Sequence, residues 1–263
     1  MALWGTIVNA AAIVIGGLLG LVLHKMSQGI RSTVMQGIGM ALVALGLSMT
    51  LKSSNFLLIV ASLVLGGIAG ELLQVERGLE RLGQWLERGV GALSELKRRG
   101  RTKDNSAEDS SVPGKGGKQG IAFGFVNTTL IYCVGAMAIL GALDGGLRGQ
   151  HDILYTKAML DGFTAIIFAS TMGVGVLFSA LAVFIYQGAI ALAASGIASL
   201  IREDMLNEII TQITAVGGVL IMGIGINLLE LRKINVANLL PSLLIAALAV
   251  PVIHAVTLWW TGG

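Results

Sequence analysis

Eight apolar runs, each about the 17–25 residues an α-helix needs to cross a bilayer, fall at residues 3–23, 33–51, 56–73, 121–143, 154–172, 177–200, 213–229 and 237–258. Each predicts one helix. Polar breaks separate most of them, as in GGLRGQHD before the fifth run. The boundary between the fifth and sixth is the exception: residues 163–201 contain no charge, and Gly173 with Gly175 is the only turn signal there. That stretch accommodates two full spans, or a re-entrant hairpin whose loosened backbone is buried in protein or lines water. The fold class expected is an all-α polytopic membrane helix bundle of about eight transmembrane helices. Spans 1–3 occupy 1–73, a cytoplasmic segment occupies 74–120, and spans 4–8 occupy 121–263.

The segment 74–120 differs from the rest. Its first part places Val75, Leu79, Leu82, Trp85, Leu86, Val90 and Leu93 near helical spacing, with Arg77, Glu80, Arg81, Glu87 and Arg88 mostly elsewhere. This predicts an amphipathic helix lying on the membrane surface or on the protein. The second part, KRRGRTKDNSAEDSSVPGKGGKQG, is polar and Gly/Ser-rich and reads as a flexible linker. GKGGKQG is no phosphate loop, since no strand precedes it and no GK[ST] helix start follows.

Composition strengthens the membrane reading. Hydrophobic residues make up 54% of the 263 and charged residues only 13%, against about 25% in an average soluble domain. The 37 glycines suit helices that approach closely in lipid. The single cysteine, Cys133, lies in an apolar run and rules out a disulfide within one chain. The opening run has no basic stretch before it and is followed by Lys25 and Arg31, the reverse of a cleaved signal, so it reads as a retained span. Lys25, Arg31, ten basic residues within 74–120, Arg232 and Lys233 fall on one side; Lys52, Arg148, Lys157 and Arg202 fall on the other. The positive-inside rule then places both termini outside and 74–120 in the cytoplasm.

Spans 1–3 and 6–8 read as an inverted repeat. Gly39 and Gly46 match Gly218 and Gly225 at a separation of 179 residues. One inserted residue later, Leu51, Lys52, Asn55, Ser62 and Leu63 match Leu231, Arg232, Asn235, Ser242 and Leu243. Span 1, with IVNAAAI, aligns with IYQGAIA of span 6 and sets Asn9 opposite Gln187. Two inserted spans put the repeats in opposite orientations, a plan of secondary transporters that places the substrate site near the midplane. Gly- and Leu-rich spans also match by chance, and that alternative stays open.

Asp161 is the carboxylate that most needs an explanation. An Asp at the bilayer centre costs about 2.5–3.5 kcal/mol on insertion scales, so it belongs on a polar pathway facing protein or water. If span 5 begins late, Asp161 and Lys157, four residues apart, are instead an anchor at the outer interface. Ser170 and Thr171 lie further along the same span. The amides Asn9, Gln36, Asn127, Gln187 and Asn227 are spread over spans 1, 2, 4, 6 and 7 and suit a shared polar centre, although any single one equally suits a helix–helix hydrogen bond. Thr128 and Tyr132 in NTTLIYC extend the lining from span 4. Glu71 and Glu230 close cytoplasmic span ends at matching places of the repeat. His24, His151 and His254 lack metal-site spacing, and no nucleophile motif or triad is present, so catalysis, a metal and a cofactor are not expected.

Several long motifs, GTIVN at 5–9, FVNTTLIYCVGAMAILGALDGGLRG at 125–149, KAMLDG at 157–162 and FASTMGVGVLFS at 168–179, carry a family resemblance. YQG at 186–188, TAVGGVLIMGIGINLL at 214–229 and VANLLP at 236–241 continue it. The chain resembles the bacterial inner-membrane family known as "domain of unknown function 554". The resemblance implies a multi-spanning protein of the bacterial cytoplasmic membrane, with a transporter the usual guess and no substrate attached. The function expected is a secondary transporter of a small solute or ion; the alternative is a non-transporting membrane scaffold or regulator acting through 74–120. Expected partners are the lipid bilayer and that solute or ion, with a homo-oligomer left open and nucleic acid not expected.

An even span number is tested by topology reporters. A periplasmically active reporter fused after Gly263 should be active, and one inserted within 96–119 silent; the reverse pattern for either would overturn the orientation.

Overall fold

The computed structural model describes residues 2–22, 28–78, 81 and 121–261. Within them the chain is helical: α1 Trp4–Val22, α2 Gln28–Thr50, α3 Phe56–Leu73, α4 Ile121–Cys133, α5 Ala136–Leu147, α6 Asp152–Met172, α7 Gly175–Leu200, α8 Glu203–Leu228 and α9 Pro241–Thr261, with a single 3₁₀ turn at Val236–Leu239. Seven helices are long and apolar enough to cross a membrane, and α4 with α5 makes an eighth when taken as one bent span. Large apolar side chains such as Leu57, Leu72, Met159, Phe163 and Leu192 stay exposed on their outer faces. In a water-soluble protein that surface would be costly; in a bilayer it is the lipid contact.

Small residues set the helix pairs. α1 lies along α6, where Gly16 backs onto the Gly162 carbonyl and Gly20 onto that of Ile166. α2 lies antiparallel to α8 in the same way: a Cβ on Gly39 would come within 3.0 Å of the Gly225 carbonyl, and one on Gly46 would strike that of Gly218. Backbones this close gain dispersion and weak Cα–H···O contacts, the forces left to helices when lipid is as apolar as leucine. α7 packs against α1, α4 and α5, and α9 against α3 and α8. One buried apolar cluster, with Leu42, Ile59, Leu220, Ile221 and Ile224, joins α2, α3 and α8; a second, with Ile13, Ala165, Phe168, Val176 and Val183, joins α1, α6 and α7.

The spans differ from the sequence pattern at span 4 and span 7, and at spans 5 and 6 the structure takes one of the two readings left open. Span 4 is not continuous: α4 stops at Cys133, and the chain bends by 62° before continuing as α5. Gly135 at the bend has φ 137° and ψ 151°, a region essentially reserved for glycine, and the apolar run around it gave no polar break to mark the turn. Spans 5 and 6 are two full helices of 21 and 26 residues, not a hairpin; Gly173 at φ 81° supplies the turn between them. Span 7 starts at Glu203 rather than near 213, because Glu203 and Asp204 in its first turn favour the helix dipole while lowering hydropathy. The amphipathic helix and linker expected over 74–120 fall almost wholly outside the described residues.

The α2–α8 contact yields a direct test. Gly46→Leu would drive a side chain onto the Gly218 carbonyl and Met222, whereas Gly37 has nothing within 4 Å of the position a Cβ would take. Gly46→Leu should cost at least about 1–3 kcal/mol by overpacking and lower the melting temperature in detergent, while Gly37→Leu leaves it within error.

Candidate functional site

Asp161 is the tenth residue of α6, about 13 Å from its start at 1.5 Å per residue and so near the middle of a core about 30 Å thick. Helical spacing puts Lys157 one turn before it on the same face. The ammonium donates to Asp161 Oδ1 at 2.9 Å and lies 2.8 Å from Oδ2, which makes no hydrogen bond of its own. Lys157 is 7% exposed and Asp161 6%. The pair is therefore a buried ion pair inside the bundle. Lys157 also leaves the set of loop charges counted for topology, which sharpens the charge asymmetry there.

α1 supplies the next member. Gly5 meets Leu154 and Gly16 meets Gly162 along the α1–α6 contact; Asn9, between Gly5 and Gly16 on the same side of α1, comes beside Asp161. Its Nδ2 donates to Gln187 Oε1 on α7 at 3.2 Å. That leaves Asn9 Oδ1 and Gln187 Nε2 buried and without a hydrogen-bond partner. Tyr132, in the last turn of α4 just before the bend, packs its ring against Phe168 at 6.3 Å. Its hydroxyl faces Thr164 and Asp161 yet makes no hydrogen bond, and it is wholly buried. Thr6, three residues before Asn9, adds another buried unpartnered hydroxyl. An unmet buried polar group costs about 1–3 kcal/mol, and three of these belong to residues that meet Asp161 or its neighbour Asn9.

Of the sequence-stated pathway residues, the fold brings Asp161, Asn9, Gln187 and Tyr132 together. Others it does not. Gln36 lies on an exposed face of α2. Asn227 braces the turn after α8, donating to the Ile234 carbonyl at 2.8 Å and accepting from its N–H at 2.7 Å. Thr128 donates to the Gly124 carbonyl at 2.6 Å, and Ser170 and Thr171 both donate to that of Ile167, at 2.8 and 3.0 Å; these hydroxyls are turned into their own helices. Asn127 is buried on α4. Glu71 accepts from Asn238 at 2.7 Å, tying α3 to the 3₁₀ turn. Thr6 and Thr164 were absent from the sequence set, though each lies three residues from a chosen residue and so on the same helix face.

The sequence matches the family described as "Protein of unknown function (DUF554)" over residues 4–251. It is 34% identical to the "Uncharacterized membrane protein YdfK" of Bacillus subtilis (strain 168), over 96% of this chain and 98% of that relative. It is 30% identical to the "Uncharacterized protein YqgA" of Escherichia coli (strain K12), over 97% and 98% of the two chains. No solved structure matches it.

Interaction within the pair is measurable by a double-mutant cycle. Lys157→Met alone strands a buried carboxylate and should cost about 3–5 kcal/mol, whereas replacing both, Lys157→Met with Asp161→Leu, should recover most of that loss. Thermal melting in detergent reads both, and additive losses would mean the two side chains do not interact.

Proposed function

We propose that this chain, which belongs to the DUF554 family of proteins of unknown function, is a secondary transporter of a small solute or ion in the bacterial cytoplasmic membrane. The observation that carries the reading is the Lys157–Asp161 pair at mid-helix, surrounded by unpartnered Asn9, Tyr132 and Gln187 atoms. Intramembrane ionisable residues mark substrate and ion pathways, and the bend of α4–α5 brings a discontinuous span to the same place, next to Tyr132. Broken helices at the midplane are a recurrent device for binding solutes in transporters.

The helix contacts also support an inverted repeat. Gly39 and Gly46 align with Gly218 and Gly225, and the contacts cross over: Gly39 meets Gly225 while Gly46 meets Gly218. Such reciprocity is what a two-fold axis between equivalent helices produces. Asn9 meets Gln187, its own counterpart, as a residue near that axis would. On this plan α1–α3 and α7–α9 rock against each other around the ion pair, both termini lie outside, and 74–120 lies in the cytoplasm.

Cys133, the one cysteine of the chain, stands next to Tyr132 and close to Lys157 and Asp161, so it reports on water reaching the site. In oriented vesicles a membrane-impermeant methanethiosulfonate should modify Cys133 from either face, each labelling a fraction. Labelling by membrane-permeant maleimide alone would mean a dry bundle and end the transporter reading.

A further inference from the structure

We infer that the Lys157–Asp161 site takes a small monovalent anion together with one proton, the anion on the Lys157 ammonium and the proton on the Asp161 carboxylate. This rests on the transporter reading and names its substrate class. Two properties of the site lead to it.

The first is charge. Among the described residues, Lys157 and Asp161 are the only charged side chains that are buried, so the site as it stands is neutral. An ion entering alone would leave a net charge in a low-dielectric interior, a penalty of several kcal/mol. Entry that keeps the total at zero avoids it. A proton added to the carboxylate makes a neutral acid and dissolves the ion pair; the ammonium, still carrying its charge, then needs an anion, which the co-substrate provides. One proton and one anion enter, and the charge is zero before and after.

The second is the chemistry of the unpartnered atoms. Lys157 Nζ has three N–H groups, and its described contacts go to a single carboxylate. Gln187 Nε2 is a further donor without an acceptor, the hydroxyls of Tyr132 and Thr6 can donate or accept, and Asn9 Oδ1 and Asp161 Oδ2 are acceptors without a donor. Once Asp161 Oδ2 carries the added proton, the Lys157 ammonium is the one charge left, and its freed N–H groups together with Gln187 Nε2 suit an anion. A metal or alkali cation would have to displace Lys157 from Asp161 and would find no second buried carboxylate among the described residues. Around Asp161 the titratable or charged groups are Lys157 on its own helix and Tyr132 and Cys133 on α4. α1 and α7 present the neutral amides Asn9 and Gln187, with Tyr186 beside the latter. His151, ten residues before Asp161, lies against Gly5 and Gly145 at the head of α6.

The test uses the purified full chain in detergent, with sodium formate and sodium nitrate as probes and lithium, sodium and potassium gluconate as cation controls. Formate or nitrate should raise the melting temperature, and in weakly buffered solution binding should take up one proton per chain. The dissociation constant should rise tenfold per pH unit on the alkaline side. Asp161→Asn, which mimics the protonated acid, should keep the response to both anions, whereas Lys157→Met should lose it. Tyr132→Phe should weaken binding several-fold at every pH without changing the slope. Stabilisation that follows the cation, no response to either anion, no proton uptake by the native chain, or a full anion response in Lys157→Met would each overturn the assignment. Because these are equilibrium measurements without a membrane, they separate from Cys133 labelling. A Cys133 reachable from both faces together with anion indifference rejects the substrate class and leaves the transporter standing.

Discussion

A carboxylate and an ammonium 2.8 Å apart inside an apolar bundle constrain everything near them. Taking each out of water costs several kcal/mol after relaxation, and their attraction repays this only where geometry is good and the remaining polar sites are met. Here the geometry is good and the remaining sites are not all met: Asn9 Oδ1, Gln187 Nε2 and Tyr132 Oη lie buried around the pair without partners. For stability alone, an apolar pair of the same volume would serve as well or better. The pair and its unmet neighbours therefore add little to stability that an apolar pair would not.

α1 on α6 and α2 on α8 touch backbone to backbone through glycine, with Leu229 packed on Gly39 and Met222 on Gly46 beside the contact. Polar ties lie at the centre, where Asn9 meets Gln187, and at both ends: Thr50 donates to the Ala215 carbonyl, Ser53 to Gln212, and His254 meets Glu208 where α8 begins. Asn227 holds Ile234 and Asn238 holds Glu71, both near the connection between α8 and α9. Close glycine contacts at mid-bundle and hydrogen bonds at both ends hold these helices together.

Several residues show how far reading the chain could reach. Asp161 stood out because a lone carboxylate in an apolar run is costly wherever it lies, and Lys157 followed from i, i+4 spacing on a helix. Gln36 and Asn227 looked equivalent to Asn9 and Gln187, since each is an amide in an apolar run. Which way each points depends on helix rotation, and low amphipathicity in lipid-facing spans leaves that rotation unmarked. Ser170, Thr171 and Thr128 donate to carbonyls of their own helix turns, a bond open to any helical hydroxyl. Local sequence does not reveal which hydroxyls find one.

Sequence by itself determined that the chain is helical, membrane-embedded and built of about eight spans, because a bilayer admits long apolar helices and penalises almost everything else. It also singled out the one carboxylate whose burial demanded a partner. Tertiary structure decided the rest: the bend at Gly135, the burial of Lys157, and the meeting of Asn9 with Gln187 across 178 residues. Those outcomes depend on how helices rotate and which backbones approach, and small-residue contacts, made by atoms every glycine shares, carry too little local signature to announce their partners.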